Sequence, residues 1–246
     1  MQGQSERLSE SEVVPCAWEY RFLTDSLVPL RNPVGEDITH QNTQGYLFVK
    51  GTVIREWLEH HTAGSACYGH TNLVPACCRA YIQATGREVT AVHIAKGSTQ
   101  IAYWLPEGAG HSILLEKTAA AKKKVNPDRI WFVWLQGESD ALASTSKECY
   151  KESLVRLMAS LKELGVEKFG IIRVGRFAGD ERDDAVLDAQ CEICRENPDF
   201  VMLTTLAEEL FKDPRYMNPA VRGHFSAEGL ETLGSAAGEA LARLVL

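Results

Sequence analysis

Six apolar residues, Ile130-Trp131-Phe132-Val133-Trp134-Leu135, run directly into Gln136-Gly137-Glu138-Ser139-Asp140. The run is far too short to span a membrane and is rich in β-branched and aromatic side chains, so it reads as a strand buried on both faces. Burial on both faces is the condition of a parallel sheet, and such a sheet delivers the C-terminal ends of its strands to the edge where ligands bind. Here that end carries an amide, a glycine, two carboxyls and a hydroxyl within five residues. A polar turn closing a core strand uses the same residue types. The segment therefore takes a functional reading only from what surrounds it.

The flanking chain alternates strand and helix. Val74, Cys77, Cys78, Tyr81 and Ile82 recur at helical spacing, with Pro75 in the first turn and Gly86 as a stop. Residues 89–94 read as a strand that ends in Ala95-Lys96-Gly97-Ser98-Thr99, a turn of small residues where backbone can approach a ligand. A helix is expected over 112–125, broken by Asn126-Pro127. The next helix opens on a capping-box pattern, Thr145-x-x-Glu148, with Leu154, Leu157, Met158, Leu161 and Leu164 on one face. Strands are expected over 169–174 and 200–203, with a helix over 184–196 between them. The last helix starts at Ala227 behind Ser226, a natural N-cap. Ahead of this pattern, residues 6–45 read as a long loop with one short helix over 18–23, and residues 46–49 as a short strand or the lead into a helix through Ile54, Trp57 and Leu58. The pattern as a whole predicts an α/β fold, a three-layer sandwich with a central, mostly parallel sheet and helices on both faces. A single domain over 1–246 is expected, since no linker or repeat interrupts the rhythm.

Composition narrows the partners. A net charge of -7 argues against nucleic acid or an anionic membrane as the main partner, and no run approaches the length of a membrane span. The opening Met1-Gln-Gly-Gln-Ser-Glu-Arg has no charged-then-apolar pattern. No signal peptide is read there, and a cytoplasmic setting is expected, with secretion the alternative if the natural start lies upstream. Seven cysteines form no disulfide framework. Cys191-x-x-Cys194 has no second pair and reads as a helical i, i+3 pair rather than a zinc site. His60, His61 and His70 lack a carboxylate or cysteine at ligand spacing, so no metal is expected. Trp57, Trp104, Trp131 and Trp134 read as core, with Trp104 the one kept as a pocket wall.

Acyl transfer needs a hydroxyl nucleophile, an imidazole base, a carboxylate to orient it and donors for the oxyanion. Ser5, His224, Glu138 and the Gly97/Gln136 pair are the right residue types, although spacing alone makes them a weak constellation. The blocks that hold them say more. Gly3-Gln4-Ser5, Ala95-Lys-Gly97-Ser98-Thr99, Trp134-Leu-Gln136-Gly-Glu138-Ser-Asp140 and His224-Phe-Ser-x-x-Gly229 resemble, in order, the blocks of the SGNH hydrolases. More narrowly they resemble the branch of sialate O-acetylesterases and the acetyl xylan esterases of carbohydrate esterase family six, which reads GQSN, GGTS, WxQGES and HFxxxG.

That resemblance implies a flavodoxin-like SGNH fold and a serine esterase that needs no cofactor. Its substrate would be a small-molecule or oligosaccharide acetyl ester, from acetylated xylan or sialic acid. It implies Ser5 as nucleophile, His224 as general base, and an oxyanion hole from the N–H groups of Ser5 and Gly97 with Gln136 as a further donor. Gln4, Ser98, Thr99 and Trp104 would line the substrate. Three departures bear on the chemistry. The position three before His224, where many SGNH enzymes carry an Asp, holds Val221, so Glu138 is the expected acid, with Asp140 and Asp213 as alternatives. Glu6 follows the nucleophile in place of the usual Asn. Only Met1 and Gln2 precede the first block, where the family has an apolar first strand, so that strand reads as missing or truncated. The rival reading is a catalytically silent relative that binds an acylated glycan or protein partner. The sequence carries no signal for oligomeric state.

Overall fold

The computed structural model describes residues 5, 12–22, 24–35, 71–219 and 221–246. The expectations for residues 46–58, and for Gln4, His60, His61 and His70, fall outside these. In chain order the elements begin with β1 (Ala17–Arg21), β2 (Ser26–Pro29), α1 (Val74–Thr85), β3 (Val89–Ala91), a 3-10 turn (Ile101–Trp104), α2 (His111–Val125) and β4 (Ile130–Trp134). Then come α3 (Glu138–Leu142), α4 (Lys147–Glu163), β5 (Val166–Ile172), α5 (Arg182–Glu196), β6 (Phe200–Thr204), α6 (Ala207–Leu210), a second 3-10 turn (Pro214–Tyr216) and α7 (Ala227–Ala242). Two compact units divide the chain, one from Met1–Gly97 with Leu210–Leu246, the other from Ser98–Glu209.

In the first unit β1 runs antiparallel to β2 and parallel to β3, with Trp18 opposite Pro29 and Ala17 opposite Val89. A hairpin therefore replaces the loop and short helix expected over 18–23. The two-residue alternation that marks a strand is hidden because Glu19 is buried beside Tyr20. Its carboxylate accepts the Gly35 N–H at 2.7 Å, a local solution that composition does not announce.

Helix α1 lies against α7 through two glycines one turn apart. A Cβ on Gly234 or Gly238 would strike the main-chain carbonyl of Leu73 or Cys77 well inside contact distance. Backbone meets backbone there, which no larger residue allows. Cys77 and Cys78 are buried beneath α1, and burial pushes the Cys77 thiol up to about 12 and the Cys78 thiol well above its ordinary value. These thiols are packing groups, not nucleophiles.

The second unit holds a parallel sheet in the order β4-β5-β6, with Phe132 opposite Phe169 and Phe169 opposite Phe200. The parallel α/β reading holds here, but the strand buried on both faces is β5, whose residues 169–172 are all buried. In β4 only Trp134 is. Within this sheet β5 is flanked on both sides and β4 on one, and flanking sets burial more than composition does. Aromatic contacts join the strands at ring centroid distances of 4.9 Å for Phe132–Phe169 and 5.0 Å for Phe169–Phe200. Helix α4 starts one residue later than the capping box suggests, because Ser146 is the N-cap and accepts the Cys149 N–H.

Two outcomes test this packing. Gly238→Ala should lower stability by about 1–3 kcal/mol in denaturant unfolding, since the new methyl forces α1 and α7 apart. In the native protein Ellman's reagent should label the exposed Cys16 and Cys149 and spare Cys77 and Cys78 until the chain is unfolded.

Candidate active site

At the exit of β4 the chain enters a buried hydrogen-bond network. The Gln136 side chain donates one N–H to the Thr99 carbonyl at 3.0 Å and the other to Asp140 Oδ2 at 2.5 Å. Tyr150, fully buried on α4, sets its hydroxyl 2.7 Å from the Gln136 carbonyl and 3.1 Å from Gln136 Oε1. The Trp134 indole and the Gln190 amide donate to that hydroxyl, both at 3.2 Å. Gln190 also donates to the Gln136 carbonyl and accepts the Val174 N–H, so it ties the exits of β4 and β5 together. Gly137 sits among these groups at φ 154°, where an added Cβ would lie 2.7 Å from Val186 and 3.1 Å from Val174. Both space and dihedral demand glycine.

The two carboxylates of this stretch have different fates. Asp140 is 1% exposed and accepts from Ile101 N–H at 2.8 Å, from Gln136, and from the Thr145 hydroxyl at 3.1 Å. Burial pushes its carboxyl above the ordinary 3.8, and the three donors pull partly back. The half-buried Glu138 opens α3, and among the described residues none donates a hydrogen bond to its carboxylate. Of the two, Asp140 is committed to the fold and Glu138 is open to a further partner. Asp213, the third candidate, accepts its own turn's Arg215 N–H at 2.9 Å.

Ser5, Gly97 and His224 belong to the first unit. Ser5 is fully buried. His224 lies in the turn before α7, where the Asn218 N–H donates to its carbonyl and Met217 bridges Phe225. Its Nδ1 is 3.0 Å from the Arg222 carbonyl. A carbonyl only accepts, so Nδ1 carries the proton and the lone pair sits on Nε2, the tautomer a general base requires. Gly229 makes this turn possible: a Cβ there would strike the Tyr216 carbonyl. Ser226 caps α7 from the same turn by accepting the Gly229 N–H.

Beyond Gly97, Ser98 is exposed with φ 57° and Thr99 is buried. Trp104 donates to the Thr99 hydroxyl at 3.3 Å and stacks edge-on to Trp134 at 6.4 Å, so most of its ring is core. Gln136 has both amide hydrogens engaged, and reaching an oxyanion requires releasing one. Sequence reasoning missed Tyr150, Gln190 and Thr145. The first two fall on helix faces that periodicity assigns to packing, and nothing in the pattern marks a polar group that bridges two strand exits. Cys191 receives a hydrogen bond from Arg173 at 3.4 Å, while burial and Cys191 raise the Cys194 thiol to about 12. Among the described residues no group of three His, Cys, Asp or Glu side chains forms a metal cluster.

The family model described as carbohydrate esterase, sialic acid-specific acetylesterase, matches residues 73–243. Among solved structures, the X-ray structure of a protein from Arabidopsis thaliana is similar over 92% of this chain and 80% of its own, at a TM-score of 0.59 and 16% identity. That likeness shows a shared α/β fold. No curated protein matches.

Tyr150→Phe removes one donor and strands two, and should cost about 1–3 kcal/mol in urea unfolding. Asp140 gives a signed pH effect. Its folded pKa is raised, so the stabilisation that comes with protonation is present below 3.8 and is lost as pH rises through the raised value. Unfolding free energies should therefore shift against wild type, relative to Asp140→Asn, as pH is raised through that window. A difference that stays flat with pH would show the donors offsetting burial fully.

Proposed function

This chain belongs to the carbohydrate esterase family of sialic acid-specific acetylesterases, and from that premise we propose that it is a serine esterase removing O-acetyl groups from carbohydrate. The substrate is an O-acetylated sialic acid or an acetylated xylan oligosaccharide. The observation that carries the reading is the family match itself, whose span includes Gly97, the 134–140 block and His224. Ser5 lies outside that span and rests on the Gly3-Gln4-Ser5 block alone.

The proposed cycle uses the tautomer of His224. Nε2 takes the Ser5 Oγ proton as Oγ attacks the acetyl carbonyl, and the negative charge falls on the former carbonyl oxygen. The N–H groups of Ser5 and Gly97 stabilise that oxygen. As the intermediate collapses, the imidazolium returns the proton to the departing sugar oxygen, which leaves acetyl-Ser5. A water deprotonated by Nε2 then releases acetate and regenerates Ser5. Glu138 is assigned the orienting carboxylate because no described residue donates a hydrogen bond to it, whereas Asp140 is met by three donors and Asp213 caps its own turn. The Arg222 carbonyl fixes the same tautomer, and a carboxylate in its place also stabilises the imidazolium. Ser98, Thr99, Trp104 and Gln4 are assigned to the acetyl and sugar side.

One observation favours a second reading, a silent relative that binds an acylated partner. The residue three before His224 is Val221, and Nδ1 lies 3.0 Å from the Arg222 carbonyl. Hydrolysis of p-nitrophenyl acetate near pH 8 separates the two. Ser5→Ala and His224→Ala should each lose more than about 10³-fold in kcat, and Glu138→Gln about 10²–10⁴-fold. A fluorophosphonate should label wild type and not Ser5→Ala. A wild type that neither turns over ester nor takes the label would favour the binder. Acetate release from O-acetylated sialic acid against acetylated xylo-oligosaccharide then assigns the sugar.

A further inference from the structure

We propose that Asp140 is a positioning residue for the esterase reaction, holding residues 99–101 in place so that the Gly97 turn just before them keeps its N–H in one direction. The inference rests on the esterase reading and on Gly97 as an oxyanion donor. It assigns to the acidic end of the 134–140 block a task that neither the nucleophile, the base nor the orienting acid performs.

The geometry is a three-point clamp. One oxygen of the buried carboxylate takes the Ile101 N–H at 2.8 Å and the Gln136 amide at 2.5 Å, and the other takes the Thr145 hydroxyl at 3.1 Å. The same Gln136 amide grips the Thr99 carbonyl at 3.0 Å. The Thr99 hydroxyl accepts the Trp104 indole N–H at 3.3 Å. Residue 99 is thus held through its carbonyl and its side chain, and residue 101 through its N–H. Only Ser98, in the left-handed region at φ 57°, separates this anchored segment from Gly97. Burying an ionised carboxylate is costly unless several donors meet it, and here each donor comes from a different local element. They are the segment after Gly97, the β4 exit and the start of α4. Tyr150 and Gln190 hold Gln136 from behind, so the clamp has a rigid base.

An oxyanion donor acts in proportion to its direction, and a displacement of about 1 Å can cost about 100-fold. Asn fills the volume of Asp140 but is neutral and has one accepting oxygen in place of two, so the Ile101 and Gln136 bonds lose their charge assistance and the Thr145 hydroxyl loses its acceptor. Asp140→Asn should fold, as judged by near-UV circular dichroism. With p-nitrophenyl acetate it should show kcat reduced about 10–100-fold and KM within about threefold. Amide exchange at Ile101 should accelerate in the same variant. Thr145→Val, which removes one of the three donors, should lower kcat by a smaller factor with KM unchanged, and it carries the test if Asp140→Asn does not fold. A folded Asp140→Asn with wild-type kcat overturns the clamp, as does a folded Thr145→Val with wild-type kcat where Asp140→Asn does not fold. Ser5→Ala, run alongside, separates the two levels. If Ser5→Ala is dead while the clamp variants are fully active, only this inference falls. If Ser5→Ala is as active as wild type, the Ser5 assignment falls first, and with it the oxyanion hole on which this inference rests.

Discussion

A carboxylate taken out of water must be met by donors, and in the second unit that requirement organises everything around the β4 exit. Asp140 is 1% exposed, and its three donors come from the 3-10 turn, the strand exit and the helix start. None of these segments can move without leaving an ionised group short of a partner in a medium of low dielectric. The same logic extends outward. Gln136 serves two acceptors, Tyr150 closes on Gln136, and Gln190 spans β4 and β5. Gly137 leaves room there for Val186, Val174 and the Gln190 amide.

Within five residues, then, two acids of the same chemistry are divided by environment. Glu138 stands at the first position of a short helix with no hydrogen bond to its carboxylate from the described residues, while Asp140 two residues on is met by three donors. A carboxylate open at a strand exit is where a reaction can draw on charge; one held by several donors is where a fold keeps its shape. The His224 turn shows a related economy. One main-chain carbonyl, that of Arg222, selects the tautomer that leaves Nε2 basic.

That turn depends on glycine packing as well as on its hydrogen bonds. Gly229 lets the Tyr216 carbonyl pass close to α7, and Gly234 and Gly238 let α7 lie directly on α1. Phe211 and Phe225 meet edge-on at 5.2 Å beneath the turn. The HFxxxG pattern thus has two physical halves: a histidine to present, and a glycine without which the turn presenting it could not close.

Helix and strand order from Val74 onward was legible because periodicity, Gly86 and Asn126 as stops and Ser226 as a cap are local properties. The residue blocks, too, were legible, and they pointed to the family that the match over residues 73–243 establishes. Less legible were the β1–β2 hairpin, whose alternation is hidden by a buried Glu19, and the flanking that buries β5 more than β4. The separate duties of Glu138 and Asp140, and the engagement of both Gln136 hydrogens, were invisible. A sequence states which groups can donate or accept; only the tertiary structure decides which of them meet, because a hydrogen bond depends on the distance between residues that can lie 54 positions apart, as Gln190 and Gln136 do.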